Sequence, residues 1–176
     1  PIKSSAASDV YKRQGWMEAG VIVPWQMYQQ YGDVRILEQH YASMVAYMDY
    51  LERRAVRYVQ PFGGFGDWLA IEPTNSMLTN TAYSAYDALI MEQVAKRLGK
   101  DADQRRFRTF YENVKRSFND LFVNEEGRTF APTVESIFGK DSQVGMWPGT
   151  AATEAKIVDT QTSYVVPLQF DLFNEK

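Results

Sequence analysis

The chain of 176 residues lacks cysteine and has a single histidine, His40. Without cysteine it can form neither a disulfide framework nor a thiolate metal site, and one imidazole cannot supply a zinc cluster. We therefore predict no metal site and no cofactor. His40 lies among polar neighbours on a predicted amphipathic helix, which favours a surface position over a catalytic one.

A large charge of one sign and long apolar runs are also lacking. The net charge is -3, with Lys, Arg, Asp and Glu interleaved along the chain, so there is no basic stripe for nucleic acid or an anionic membrane. No apolar run approaches the roughly 18 residues of a membrane helix, and the first residues lack the apolar core of a signal peptide. We expect a soluble chain that binds neither nucleic acid nor membrane, in a compartment that the sequence leaves open.

Aromatic residues are abundant, at 14% of the chain, with 11 Tyr, 10 Phe and 4 Trp. Tyr and Trp rings serve protein cores and sugar-stacking surfaces equally well. The composition therefore permits a carbohydrate site without establishing one.

The first 14 residues, PIKSSAASDVYKRQ, carry neither helix nor strand periodicity. The string SSAASDVYKRQ resembles a translated sequencing adaptor. We predict that residues 1–14 are non-native or disordered and that the fold occupies residues 15–176.

Hydrophobic periodicity predicts about five helices in the rest of the chain. The helix that begins at Asp101 has the clearest pattern, with apolar residues at i, i+3, i+4, i+7, i+11, i+14 and i+15 from Phe107. A second amphipathic helix covers residues 34–51, after a turn at Gly32 and Asp33. A third pattern covers residues 160–173.

Residues 16–31 are apolar on almost every side, which is typical of a helix buried by neighbours all round. A further helix is predicted at about residues 79–98, with Tyr83, Tyr86, Ile90, Val94 and Leu98 near one side. Pro24 predicts a start, kink or 3₁₀ turn near Val23. Residues 124–159 form a long excursion with strand-like pieces only around residues 128–131, and we predict no sheet. Alternation of buried and amphipathic helices favours an all-α fold of concentric helix layers, an incomplete toroid, over a plain four-helix bundle.

Two clusters have the residue types of a sugar site, which needs carboxylates and aromatic faces. The first contains Trp16 and Glu18, and its structural alternative is a packed indole beside a solvated carboxylate. The second contains Asp67 and Trp68 in a glycine-rich loop. Its alternative has Asp67 capping the following turn and Trp68 closing the helix ends.

Four segments in order, GWMEAGVIVPWQMYQQYGD, YLERR, FGDWLA and DTQTSYVVPLQFDLF, resemble the catalytic domain of glycoside hydrolase family 78, the bacterial α-L-rhamnosidases. The resemblance implies an (α/α)6 six-hairpin barrel that hydrolyses rhamnose-containing glycosides with inversion. It also implies that Trp16, Glu18, Asp67 and Trp68 bind the substrate, with Glu18 a candidate for a catalytic role.

Two departures from the family pattern matter: the catalytic pair is not found in the chain, and Glu18 stands where the family usually has Asp. Val10 to Gln14 contain no carboxylate where the family has its acid, and the family's base lies in a hairpin beyond Lys176. We therefore expect an internal piece of the catalytic domain, inactive alone, whose partners include the remaining hairpins of the enzyme. Two alternatives stay open: another six-hairpin glycosidase of the glucoamylase or trehalase kind, and a non-catalytic helical-repeat binding module, which predicts a repeat of roughly 34–47 residues that the sequence does not show.

Overall fold

The structure is a computed structural model that describes residues 17–61, residue 67, and residues 69–139 and 155–174. Its described part contains six helices and one pair of short strands, in the order α1 (Ala19–Tyr31), α2 (Arg35–Arg54), α3 (Ser76–Arg97), α4 (Asp101–Phe122), β1 (Phe130–Ala131), α5 (Val134–Phe138), β2 (Lys156–Ile157) and α6 (Gln161–Gln169). The predicted all-α class is confirmed. None of the described helices is both long enough and apolar enough to cross a bilayer.

The turn between α1 and α2 forms where the sequence predicts it. Gly32 adopts a left-handed conformation, with φ at 70°, and its amide donates to the Tyr28 carbonyl, 2.8 Å away. Asp33 then accepts the backbone amide of Arg35 at 3.0 Å. Gly32, which has no side chain, thus ends α1, and the short side chain of Asp33 satisfies a free amide at the start of α2.

Helix α1 differs from its prediction in two respects. It runs unbroken through Pro24, because a proline in the second turn removes only one amide from the helical ladder. Burial on every side was also predicted wrongly. Among the described residues only Val21 and Pro24 of α1 are buried, while Val23, Met27 and Tyr31 are 51%, 41% and 71% exposed. The reason is that the described neighbours, α2 and α3, cover one side of this helix.

Helices α3 and α4 match the predicted pairing of a buried with an amphipathic helix. Fifteen residues of α3 are buried, whereas α4 buries one stripe, composed of Phe107, Phe110, Tyr111, Val114, Phe118 and Phe122. Helix α3 begins three residues earlier than predicted. Asn75 is the reason, since its side-chain oxygen accepts the amides of Met77 and Leu78 at 3.0 and 3.3 Å.

The prediction of no sheet was wrong for one small ladder. β1 pairs antiparallel with β2, in register Phe130 opposite Ile157. The strand-like piece at residues 128–131 was therefore identified, but its partner was not, because a two-residue strand is too short to show alternation. Thr160 caps α6 as predicted, accepting the Ser163 amide at 3.2 Å, although the helix is shorter than the predicted 160–173.

Candidate active site

Glu18 lies at the start of α1 and is buried rather than solvated, with 1% of its surface exposed. The Tyr47 hydroxyl, from α2, donates a hydrogen bond to Glu18 Oε1 over 3.2 Å. Glu18 is therefore held between two helices. Trp16, its predicted companion, lies outside the described residues.

Asp87 comes to the same place from α3. It is fully buried, and among the described residues neither of its carboxyl oxygens has a hydrogen-bond partner. Burial, and after it the negative charge of Glu18, raise the pKa of Asp87 well above its ordinary value. Both causes favour the neutral, protonated carboxyl.

Tyr83, one turn before Asp87 on α3, completes what we call the carboxyl cluster: Glu18, Tyr47, Tyr83 and Asp87. Burial raises the pKa of Tyr83, and the charges of Glu18 and Asp87 add to the effect. The pKa of Tyr47 is raised by the same causes, burial first. Both phenols therefore stay protonated and can donate hydrogen bonds toward the carboxylates. Three helices thus meet around a pair of acids closed off from solvent.

The chemistry open to the carboxyl cluster follows from its burial. A neutral Asp87 is both a donor and an acceptor, whereas an ionised carboxylate only accepts. Because Glu18 and Asp87 are covered, they cannot contact a substrate in this arrangement. Glu18 and Asp87 can instead fix the positions of the helices and side chains that pack against them.

Asp67 is the second predicted site residue within the described part of the chain. Its carboxylate accepts the Thr74 amide at 3.1 Å and the Thr74 hydroxyl at 2.8 Å. The Thr74 hydroxyl is also 2.6 Å from that of Thr160, at the start of α6. These contacts fix Asp67 beside the start of α3, and its role in binding sugar stays a prediction. Trp68 and residues 62–66 of the same loop lie outside the described residues.

Asp67 and the carboxyl cluster lie near different positions along the axis of α3. Asp67 lies beside Thr74, just before the first turn of the helix, while the carboxyl cluster surrounds Tyr83 and Asp87. Seven to eleven residues of helix separate Ser76 from these two positions, or roughly 10–16 Å at 1.5 Å per residue. No described contact joins Glu18 to Asp67.

Sequence reasoning did not find Asp87 or Tyr47. A usable signal for Asp87 was present, because it is an acidic residue in the middle of a helix that was predicted to be buried. No comparable signal marks Tyr47, which is one of several aromatic residues on the apolar stripe of α2.

Comparison with known proteins decides the family. Residues 3–176 match the family described as the bacterial alpha-L-rhamnosidase 6 hairpin glycosidase domain. The chain belongs to this family. Its six-hairpin fold and its kinship with glycoside hydrolases agree with the predicted resemblance.

Individual proteins that are similar to this chain are named alpha-L-rhamnosidases. An alpha-L-rhamnosidase from Streptomyces avermitilis is 34% identical over 120 residues, which are 68% of this chain and 12% of that protein. One from Formosa agariphila is 28% identical over 170 residues, 92% of this chain and 16% of that protein. The chain therefore spans less than a fifth of the length of these relatives.

Solved structures give the same picture of the rhamnosidase fold. The crystal structure of the Streptomyces avermitilis alpha-L-rhamnosidase complexed with L-rhamnose superposes with a TM-score of 0.71 at 29% identity, covering 92% of this chain and 13% of that one. The alpha-L-rhamnosidase from Dictyoglumus thermophilum gives a TM-score of 0.59 at 33% identity, over 62% of this chain and 13% of the other. The helices described above are thus arranged as in part of a six-hairpin glycosidase.

Proposed function

We propose that the enzyme to which this chain contributes is an α-L-rhamnosidase, which hydrolyses terminal α-L-rhamnosyl residues from glycosides with inversion. The observation that carries the proposal is the family match over residues 3–176. The similarity to a rhamnosidase that was crystallised with L-rhamnose supports rhamnose as the sugar. A substrate of this class is a rhamnose-containing oligosaccharide or glycoside.

Within that enzyme, we assign this chain to the wall of the rhamnose pocket. Trp16 and Trp68 provide flat apolar faces for the sugar ring and its methyl group, and Asp67 accepts hydrogen bonds from hydroxyls. Glu18 supports the wall from behind, since its carboxylate is covered and bonded by Tyr47. A direct catalytic role for Glu18 requires the carboxylate to be uncovered when substrate binds.

Inversion needs an acid and a base about 6.5–9.5 Å apart, so that a water fits beneath the anomeric carbon. Apart from the alternative catalytic role considered for Glu18, we assign neither the acid nor the base to a described residue. The acid and base are proposed to come from other parts of the enzyme. We therefore expect the isolated chain to release no rhamnose from a rhamnoside.

The test uses the full-length enzyme and an aryl α-L-rhamnoside. Trp68→Ala should lower kcat/KM by about tenfold, since one stacking face is worth roughly 1.4 kcal/mol. Glu38→Gln, at an exposed position of α2, is the control and should leave kcat/KM unchanged. Unchanged turnover by Trp68→Ala would contradict the wall assignment, and hydrolysis of the matching aryl D-glucoside without hydrolysis of the rhamnoside would contradict rhamnose as the sugar.

Glu18→Gln separates the two roles of Glu18 in the same assay. A supporting residue predicts a modest loss that appears mainly in KM. A general acid or base predicts a loss of about 10²–10⁴ in kcat and the disappearance of one limb of the pH profile.

A further inference from the structure

An open groove of about 440 Å³ lies between the end of α2 and the first half of α4. It is lined by Glu52, Tyr58, Arg105, Arg106, Phe110 and Asn113, together with two smaller side chains. None of these residues belongs to the carboxyl cluster or to the predicted rhamnose pocket. Tyr47 and Glu52 are five positions apart on α2, which puts them about 140° apart around the helix.

The floor of the groove is aromatic. The rings of Tyr58 and Phe110 are 6.0 Å apart, and Phe110 is 5% exposed whereas Tyr58 is 41% exposed. Phe110 therefore belongs to the core, and Tyr58 rests on it with part of its ring open to solvent. An aromatic face supported from below is a surface on which a sugar ring can stack.

The turn that carries Tyr58 has an unfavourable backbone for its sequence. Val56 and Val59 exchange two backbone hydrogen bonds of 3.0 and 2.9 Å. The residues between them, Arg57 and Tyr58, have φ values of 53° and 63°. This is the region that Asn-Gly turns adopt at little cost and that bulky residues avoid. Strained positions of this kind concentrate at binding sites, and the strained turn leaves 41% of Tyr58 exposed rather than burying it in the core.

The rim of the groove is polar without a large net charge. Arg106 is paired with Asp49 at 2.5 Å and with Glu52 at 2.9 Å. Within the described part of the chain, the structure shows neither an ion pair nor a hydrogen bond for the Arg105 guanidinium. Asn113 accepts a long hydrogen bond of 3.4 Å from Arg116 through its side-chain oxygen, which leaves its amide nitrogen to donate.

Donors and a carboxylate acceptor around an aromatic floor favour a neutral ligand that has hydroxyls and one apolar face. We propose that this groove is a second saccharide-binding site, in which Tyr58 stacks on a sugar ring and Arg105 and Asn113 donate hydrogen bonds to its hydroxyls. The choice of a saccharide rests in part on the proposed function, whereas the groove itself does not. A polyanion is disfavoured because two carboxylates already neutralise Arg106.

The test is saturation-transfer NMR on this chain with L-rhamnose and, separately, D-glucose, each at about 10 mM, a concentration suited to millimolar affinity. Tyr58→Ala should weaken binding about tenfold, which corresponds to the loss of one stacking contact. Tyr58→Asn removes the same ring but tolerates the left-handed backbone, so it should weaken binding equally while the turn is kept. Arg105→Ala should weaken binding about threefold, as expected for loss of one exposed hydrogen bond.

Tyr31→Ala is the matched control, because Tyr31 is a more exposed tyrosine, on α1 and outside the groove. It should bind as the unsubstituted chain does, and far-ultraviolet circular dichroism should show the same helix content in all variants. The proposal is overturned if Tyr58→Asn binds the sugars with unchanged affinity. It is also overturned if neither L-rhamnose nor D-glucose binds to the unsubstituted chain. Rhamnoside hydrolysis does not enter this measurement, so the groove can fail while the proposed function stands, and the reverse.

Discussion

Replacing Asp87 with asparagine should stabilise the chain at neutral pH and remove part of its pH dependence. Asp87 is fully buried, and burial together with the charge of Glu18 raises its pKa well above 3.8. The folded state therefore holds its proton more tightly than the unfolded state. The stability that this proton provides is fully present below the unfolded pKa and is lost as pH rises toward the folded pKa.

The size of the effect follows from linkage. Between the unfolded and the folded pKa, each pH unit lowers the free energy of unfolding by ~1.4 kcal/mol for a single group. Asparagine has nearly the same shape and keeps a donor, but it does not titrate. The Asp87→Asn chain and the unsubstituted chain should thus be similarly stable near pH 4, and the variant should gain by ~1.4 kcal/mol per unit above that until the folded pKa is reached.

The assay is urea unfolding followed by circular dichroism at about pH 4.5, 5.5 and 6.5, with the difference between the two chains taken at each pH. Taking the difference removes the contribution of the other carboxyl groups. Glu38→Gln, on an exposed surface, should show no such pH-dependent gain. In a Glu18→Gln background, the gain from Asp87→Asn should keep its slope but end at a lower pH, because the Glu18 charge is the second cause of the raised pKa and burial the first. Parallel pH profiles for Asp87→Asn and the unsubstituted chain would refute the reasoning.

Three further substitutions test other parts of the structure. Asn75→Ala should destabilise the chain by about 1 kcal/mol, because two amides at the start of α3 lose their acceptor, and the midpoint of urea unfolding measures it. Arg57→Asn should stabilise it by roughly 0.5 kcal/mol, since asparagine tolerates a φ of 53° better than arginine, and a lower melting temperature would contradict this. Phe118→Ala, at a fully buried position of α4, should lower the free energy of unfolding by about 3–5 kcal/mol. A smaller decrease, measured by urea unfolding, would mean that Phe122 and Phe173 close the cavity.

The parts of the fold that depend on local signals were predictable. The stripe on α4, the turn at Gly32 and Asp33, and the cap at Thr160 each follow from spacing or from one residue's hydrogen-bonding capacity. The burial of α1 was not predictable in this way, because an apolar sequence does not reveal which neighbours cover it. The two-residue ladder was missed because its strands are shorter than any period.

The candidate site was predictable only as residue types. Glu18 and Asp67 were predicted as site residues, but their surroundings depend on helices that approach from elsewhere in the chain. The sequence marks Asp87 as an acidic residue in a helix predicted to be buried, but its pairing with Glu18 exists only because α1 packs against α3. Tyr47 becomes part of the cluster only through α2. Whether Trp16, Glu18, Asp67 and Trp68 bind one sugar stays a prediction.

The hydrogen bond between Thr74 and Thr160 joins residues 86 positions apart. Thr74 also holds Asp67, so the placement of Asp67 depends on a helix that is synthesised much later. Contacts of such long sequence separation form late, since closing a long loop is entropically unfavourable until other structure supports it. During translation, α2, α3 and α4 can assemble early. The contacts that join Asp67, Thr74 and Thr160 can be completed only after Thr160 and α6 have been synthesised.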